Sequence, residues 1–306
     1  MYDLIGDIHG HADELVQLLE RLDYRKIRGI YRHPDRKAIF LGDYIDRGPK
    51  ILQTLKIVRG MFEENAALAI MGNHELNALA FHTEDPSRHG TFLRKRNTAN
   101  IRQHAQTILQ LNDKDMESTL NWFRVLPLWL DLEGLRAVHA CWDESAMAMI
   151  SNAIDEHRVI TPGFLQPAYQ NGNALFASVE VVLKGKDAKL PHNVFVTDKD
   201  GHSRNKVRTR WYLSPHGQTY RTYAFQSNAL NCDLEIDDAV ASKAVPYPLA
   251  AKPVFVGHYG LSAVSPDILT DNVACLDFNV TKGGFLCAYR WNGEQKLNND
   301  GFVWTV

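Results

Sequence analysis

Five short polar motifs punctuate this chain, and each follows directly on an apolar run. They are Gly6-Asp7-Ile8-His9-Gly10, Gly42-Asp43-Tyr44-Ile45-Asp46-Arg47-Gly48, Gly72-Asn73-His74-Glu75, His139-Ala140 and Gly257-His258. The runs before the first three, Leu4-Ile5, Ala38-Ile39-Phe40-Leu41 and Ala67-Leu68-Ala69-Ile70-Met71, read as buried strands. Helical spacing then takes over each time: Leu15, Leu18, Leu19 and Leu22; Ile51, Leu52, Leu55, Val58 and Phe62; Leu76, Leu79 and Ala80. Asp43 lies 36 residues after Asp7, and Asn73 lies 30 after Asp43. Those steps suit βαβ units of ~30 residues or more. The glycines let the backbone turn sharply at each strand end. Groups at the carboxyl ends of neighbouring strands in an open α/β sheet converge on one crevice.

Two later strands end in histidine, Leu135-Arg136-Ala137-Val138 before His139 and Val254-Phe255-Val256 before Gly257-His258. Beyond Gly260, three runs are expected as antiparallel strands closing the fold: Val273–Leu276, Phe285–Tyr289 and Phe302–Trp304. Two stretches break the pattern. Residues 82–106 carry Arg88, Arg94, Lys95, Arg96 and Arg102 against Glu84 and Asp85, a net +3. Residues 145–250 hold six prolines and read as an irregular cap inserted into one domain that spans 1–306.

Charge and cysteine content narrow the setting. Lys and Arg total 34 against 36 Asp and Glu, so no overall field would hold nucleic acid or an anionic membrane. Neither a stable nucleic-acid partner nor a membrane is expected, and any polyanion must be gripped locally. Cys141, Cys232, Cys275 and Cys287 are widely spaced without a C-x-x-C pair, as small buried thiols of a reducing compartment would be. A motif is reached by Gly6, no room for a signal peptide is seen, and no run approaches the ~18 apolar residues of a membrane span. The expectation is a cytoplasmic enzyme.

The strand-end groups Asp7, His9, Asp43, Asn73, His139 and His258 mix oxygen and imidazole ligands around carboxylates. A pair of divalent ions roughly 3.5–4 Å apart activates water and clamps phosphoryl oxygens, and phosphate-ester hydrolysis requires both. The set therefore predicts a two-metal hydrolase of phosphate esters. It suits Mn²⁺ best, with Fe or Zn²⁺ as alternatives, and its lack of thiolates argues against a structural zinc site.

GD-x-H-G, GD-x-x-DRG, GNHE and the two later histidines resemble the calcineurin-like metallophosphoesterases, in particular the phosphoprotein-phosphatase branch. Trp122-Phe123-x-x-Leu126-Pro127-Leu128, Val138-His139-Ala140 and the tail Leu276-Asp277 with Gly283-Gly284-Phe285-Leu286 are similar to bacterial members, including symmetrical diadenosine tetraphosphatases. The resemblance covers roughly residues 2–145 and 254–290. It implies two layered mixed β-sheets flanked by helices (α/β/β/α). It implies Asp7 and His9 on one metal, Asp43 bridging, and Asn73, His139 and His258 on the other. Arg47 would hold a phosphate oxygen, and His74, oriented by Asp46, would be the general acid. The substrate would be a phosphoprotein or, alternatively, a dinucleoside polyphosphate. A second phosphate-binding arginine is sought in the basic segment Lys199, Arg204, Lys206, Arg208 and Arg210, with Arg208 or Arg210 expected. The chain departs from the pattern at Ala140-Cys141, where many relatives have glycines, and at Tyr259, where a small residue is common.

Each motif also has a bland reading. A turn aspartate, an Asn-capped helix, a charge at a helix start for Glu75 and surface positions for the other histidines, His82, His104 and His202 among them, would account for them singly. Arg94-Lys95-Arg96 reads as a solvated face. The joint, ordered recurrence at strand ends favours the metal site. The presence of His74, Asp46 and Arg47 disfavours an inactive metal-binding scaffold.

Overall fold

A computed structural model of the chain describes residues 1–155, 157–197, 203–225, 230 and 232–306. They form two compact units, Met1–Leu183 with Lys252–Val306, and Lys184–Ala251. Lys199 and His202 lie outside the described residues.

The first unit begins with β1 (Tyr2–Ile5), α1 (Ala12–Arg21), the small ribbon β2 (Arg25–Ile27) and β3 (Ile30–Arg32), then β4 (Lys37–Phe40), α2 (Ile51–Glu63), β5 (Ala67–Ala69) and α3 (Asn73–His82). There follow α4 (Thr98–Gln110), α5 (Asp113–Phe123), β6 (Trp129–Asp131), β7 (Arg136–Val138), α6 (Glu144–Ala153), α7 (Pro162–Ala168) and α8 (Ala174–Lys184). The second unit has ribbons β8 (Asp187–Lys189) with β11 (Lys206–Arg208) and β9 (Val196–Thr197) with β10 (Ser203–Arg204), and the short helices α9 (Tyr220–Tyr223) and α10 (Asp238–Ala241). It buries its own core, including Ala188, Leu190, Val207, Tyr220 and Leu230. The chain then returns to the first unit as β12 (Val254–Val256), β13 (Val273–Cys275), β14 (Asp277–Phe278), β15 (Phe285–Trp291) and β16 (Phe302–Trp304). Of the segment expected as a cap, α6 and α7 and nearly all of α8 thus belong to the first unit.

One sheet runs β14-β15-β1-β4-β5, with β16 also on β15. Its β1, β4 and β5 are parallel, and β15 is antiparallel to β1. The other runs β13-β12-β7-β6. The two sheets share one core, in which Leu4, Ile39, Leu41 and Ile70 meet Ala137, Phe255 and Ala274, and the rings of Phe255 and Tyr289 lie 5.1 Å apart. Helices α1 and α2 pack on the first sheet. Leu4, Ile5, Ile39 and Phe40 are wholly buried, as central parallel strands covered on both faces should be. Layered mixed sheets flanked by helices match the expected α/β architecture.

The expectation of three antiparallel closing strands is corrected at one of them. Val273–Cys275 pairs parallel to β12, with Val254 opposite Val273. A parallel neighbour needs a crossover of ~12 residues or more, and the stretch 257–272 supplies it; β15 and β16 are antiparallel as expected. Among the described residues no helix is long and apolar enough to cross a membrane.

A buried clasp joins β1 and β15 of the first sheet. The Arg36 guanidinium donates from Nε to Asp3 (2.9 Å) and from Nη2 to the carbonyls of Tyr2 (2.7 Å) and Trp291 (2.9 Å). Tyr24 and Arg290 also reach Asp3, which is fully buried. Removing one partner of a buried pair strands the other charge. Arg36→Met should therefore cost about 3–5 kcal/mol of unfolding free energy in urea. Arg59→Met, which loses the exposed pair with Glu63 and exposed hydrogen bonds to Ser118, should cost only about 1 kcal/mol. Equal losses would deny the clasp its role.

Candidate functional site

The loops after β1, β4, β5, β7 and β12 all deliver their polar groups to one place. Asp43 lies at the middle. Its carboxylate is 3.5 Å from His9 Nε2 and 3.4 Å from His139 Nε2, and it accepts the His74 backbone N–H at 2.9 Å. Asn73 Oδ1 is 3.2 Å from His139 Nε2 and 2.7 Å from His258 Nδ1. The His258 backbone N–H closes the ring by donating to Asp7 at 3.0 Å. All six expected ligands are thus brought together, and all but the half-buried His258 are buried.

Close approach of the loops depends on two glycines. A Cβ on Gly72 would fall on the Asp43 carboxylate, and one on Gly257 would fall on that of Asp7. The turns themselves are forced: His9, Asp43, Asp46, Arg47 and His258 all have positive φ, from 46° to 69°. Side chains other than glycine adopt this conformation rarely and at a cost, and such strain gathers at functional sites.

The donor set fits divalent metal. His9 Nδ1 bonds the Ile45 carbonyl (2.8 Å) and His139 Nδ1 bonds that of Leu41 (2.7 Å). A carbonyl only accepts, so each Nδ1 carries its hydrogen and Nε2 faces Asp43; His9 offers a lone pair there, while His139 offers an N–H whose proton a bound metal ion would replace. Lone pairs aimed at a carboxylate repel unless a cation lies between them, and backbone carbonyls commonly orient metal-binding imidazoles this way. Two triads of ligand atoms, each within 4.8 Å of one another, share Asp43: His9-Asp43-His74 and Asp7-Asp43-His139. The electrostatics agree. Burial opposes charge on His139, but Asp43 and Asp7 push it up to about 10. Burial, then Asp277 and Asp43, raise the Asp7 carboxyl well above its usual range. Burial, then His74 and Arg47, hold His9 down to about 3 against the pull of Asp43. Positive charge is wanted between these groups.

Beside this cluster stands a histidine–aspartate pair. His74 Nδ1 is 2.6 Å from Asp46 Oδ2, and both residues are buried. Arg47 is exposed, and its charge is felt at His9. Arg208 and Arg210 belong to the second unit, where Arg208 bonds Asp187 (2.9 Å) and the Gly185 carbonyl (2.7 Å). The two departures from the family pattern meet each other, because the Tyr259 hydroxyl donates to the Ala140 carbonyl at 2.9 Å.

The family description "calcineurin-like phosphoesterase" matches residues 2–145. Just under half of this chain is thus similar to the calcineurin-like phosphoesterases. An asymmetrical bis(5'-nucleosyl)-tetraphosphatase PrpE of Halalkalibacterium halodurans is 43% identical over 74 residues, which are 24% of this chain and 30% of that protein. The match therefore spans under a third of the length of that relative. A symmetrical bis(5'-nucleosyl)-tetraphosphatase of Aliivibrio fischeri is 25% identical over 300 residues, covering 94% of this chain and 93% of the other. The structure of a protein serine/threonine phosphatase from Saccharomyces cerevisiae superposes with a TM-score of 0.50 at 11% identity, over 99% of this chain and 78% of the other.

Sequence reasoning missed the support that α4 gives to the calcineurin-like site. His104 was expected at the surface; it is buried, with Nδ1 2.7 Å from Asp46 Oδ1. Thr107 donates to the same oxygen at 2.6 Å and accepts the Asp46 N–H at 3.0 Å. Gln110 takes the Ile51 N–H (2.7 Å) and donates to the Gly48 carbonyl (3.1 Å). Those three residues recur every third position on one helix face, the one signal available in the chain. Gln103 Nε2 is nearly equidistant from the two ring nitrogens of His74, 3.2 and 3.3 Å, so it caps the ring. Glu75, expected only as a helix-start charge, accepts the N–H groups of Gly72, Asp43 and Tyr44 at 2.8–2.9 Å. Burial, then Asp43, raise its carboxyl to about 7.

His82 Nε2 is 3.2 Å from His104 Nε2, and burial, then His104 and Arg96, lower His82 from 6.5 to about 4. The folded protein prefers the neutral ring. Its contribution to stability is complete above 6.5 and lost as pH falls through about 4. His82→Gln should accordingly lose less stability than wild type over that interval, read from urea midpoints; parallel pH curves would contradict this.

Proposed function

We propose that this protein hydrolyses phosphate esters or anhydrides, with two divalent ions held by Asp7, His9, Asp43, Asn73, His139 and His258. The observation that carries the reading is Asp43, shared by two triads of buried ligand-type atoms, one of which includes the His74 that Asp46 holds. Bound ions would supply a water of lowered pKa and neutralise phosphoryl charge. The chain's own groups do the rest. Asp46 fixes the His74 imidazole, so that its Nε2 can give a proton to the leaving oxygen. Arg47 offers a guanidinium fork to a phosphate oxygen, and Arg208 or Arg210 is a second candidate grip. Manganese is the metal best suited to this oxygen and imidazole set, with iron and zinc as alternatives. The inserted region 145–250 would select among substrates.

Two substrate classes fit, a phosphoprotein and a dinucleoside polyphosphate. The near full-length similarity to a protein named as a symmetrical tetraphosphatase supports the second. A cytoplasmic setting accords with four buried, free cysteines.

Asp43→Asn should bind fewer than two manganese ions per chain by elemental analysis and lose nearly all turnover; a fully loaded, active variant would remove Asp43 from the bridge. His74→Asn should keep the metal and lose ~10²–10⁴-fold in kcat, with the greatest loss on substrates with poor leaving groups. A uniform loss across leaving groups would take the acid role from His74.

A further inference from the structure

Arg94 is a half-buried guanidinium at the edge of the site. Its backbone N–H bonds the Ala80 carbonyl at 3.0 Å, tying the loop to the end of α3. Its side chain makes one hydrogen bond among the described residues, from Nη2 to Gln103 Oε1 at 2.8 Å, and no ion pair. A guanidinium has five N–H donors, so most are left to be satisfied. Asp46 is near enough for its field to reach Arg94. Its oxygens, however, are already taken by His74, His104 and Thr107. Withdrawing a cation from water without a partnered anion is costly. Burial lowers the Arg94 pKa accordingly, against the opposing pull of Tyr169 and Asp46. The remaining donors can serve an anion from outside the chain.

The position of Arg94 shows which anion. The Arg94 donor fixes Gln103 Oε1, and this turns Gln103 Nε2 onto the His74 ring. Contact thus runs from Asp43 through His74 and Gln103 to Arg94, with Arg94 at the end away from the metal-ligand cluster. Its chain neighbour Lys95 lines a cleft of about 780 Å³ together with Arg88, Arg96, Asp85, Phe92 and Tyr169. Arg88, Lys95 and Arg96 are all exposed, and Arg96 is stacked on Phe92, 3.2 Å from its centroid.

We propose that Arg94, carried by Gln103, binds a negatively charged leaving group beside His74, so that the preferred substrates are phosphoanhydrides of the dinucleoside polyphosphate class. This rests on the phosphoesterase reading above. A phosphorylated serine or threonine departs as an uncharged side chain and has no use for a cation there. A polyphosphate leaves with its own charges, which Arg94 meets first and the basic cleft next. In the reaction, the oxygen of water joins the attacked phosphorus and the bridging P–O bond breaks. The bridging oxygen departs with the second phosphate, bearing the proton from His74. The proton released by the water balances the one His74 gave up.

The test compares manganese-loaded wild type, R94M and R94K on diadenosine tetraphosphate and on 4-nitrophenyl phosphate. R94M should lose about 30-fold in kcat/KM on the tetraphosphate and only about 3-fold on the aryl ester, the scale of one charged hydrogen-bonding partner. R94K, which keeps the charge and the stem, should lie between. Inhibition by ADP should weaken in R94M by a similar factor, while inhibition by orthophosphate should not. Equal losses on both substrates, or undiminished ADP inhibition, would overturn the assignment, as would a wild type that prefers a phosphopeptide. A wild type silent on every phosphate ester and anhydride would instead sink the underlying reading, and this inference with it.

Discussion

Three backbone N–H groups, from Gly72, Asp43 and Tyr44, end on the single carboxylate of Glu75. The loop after β4 is thereby sewn to the loop after β5, and Asp43 is fixed where both triads of ligand atoms can use it. Buried backbone donors must find acceptors, and no strand or helix can serve a turn this irregular. A fully buried side chain does so in their place. The geometry of the site is thus decided one layer behind the residues that would touch metal or substrate.

That layer also offsets strain. Five site residues sit in left-handed backbone conformations, each costing on the order of 1–3 kcal/mol. The compensating bonds are local. The N–H groups of Ile8 and His9 both reach the Asp43 carbonyl, at 3.1 and 2.8 Å, and the Gly10 N–H reaches that of Tyr44 at 2.9 Å. Motifs one and two therefore hold each other's turns in place. On the far side, α4 does the same for Asp46, by way of His104 and Thr107.

The strand-loop-helix rhythm and the clustering of six polar residues at strand ends were legible because two cues coincide at each. An apolar run predicts a buried strand, and a glycine followed by a polar group marks where it ends. The histidine–aspartate pair was legible only through resemblance, since the bond between His74 and Asp46 spans 28 positions. His104 was not legible, because on an amphipathic helix a lone histidine reads as a surface residue until its partner is known to lie 58 positions earlier. Arg94 was hidden by its neighbours. Lys95 and Arg96 are exposed and make the run look solvated, while Arg94 is half-buried. The parallel placement of β13 was missed because an apolar triplet does not reveal which way its neighbour runs.

The contact between Asn73 and His258 joins positions 185 residues apart. During synthesis the ribosome releases the first three motifs long before the last histidine exists. The nascent chain therefore offers an incomplete cage, missing its final imidazole and the N–H that steadies Asp7. The intervening unit has its own small core. The cluster around Asp43 and Asn73 is thereby completed only after Gly257-His258 has been synthesised.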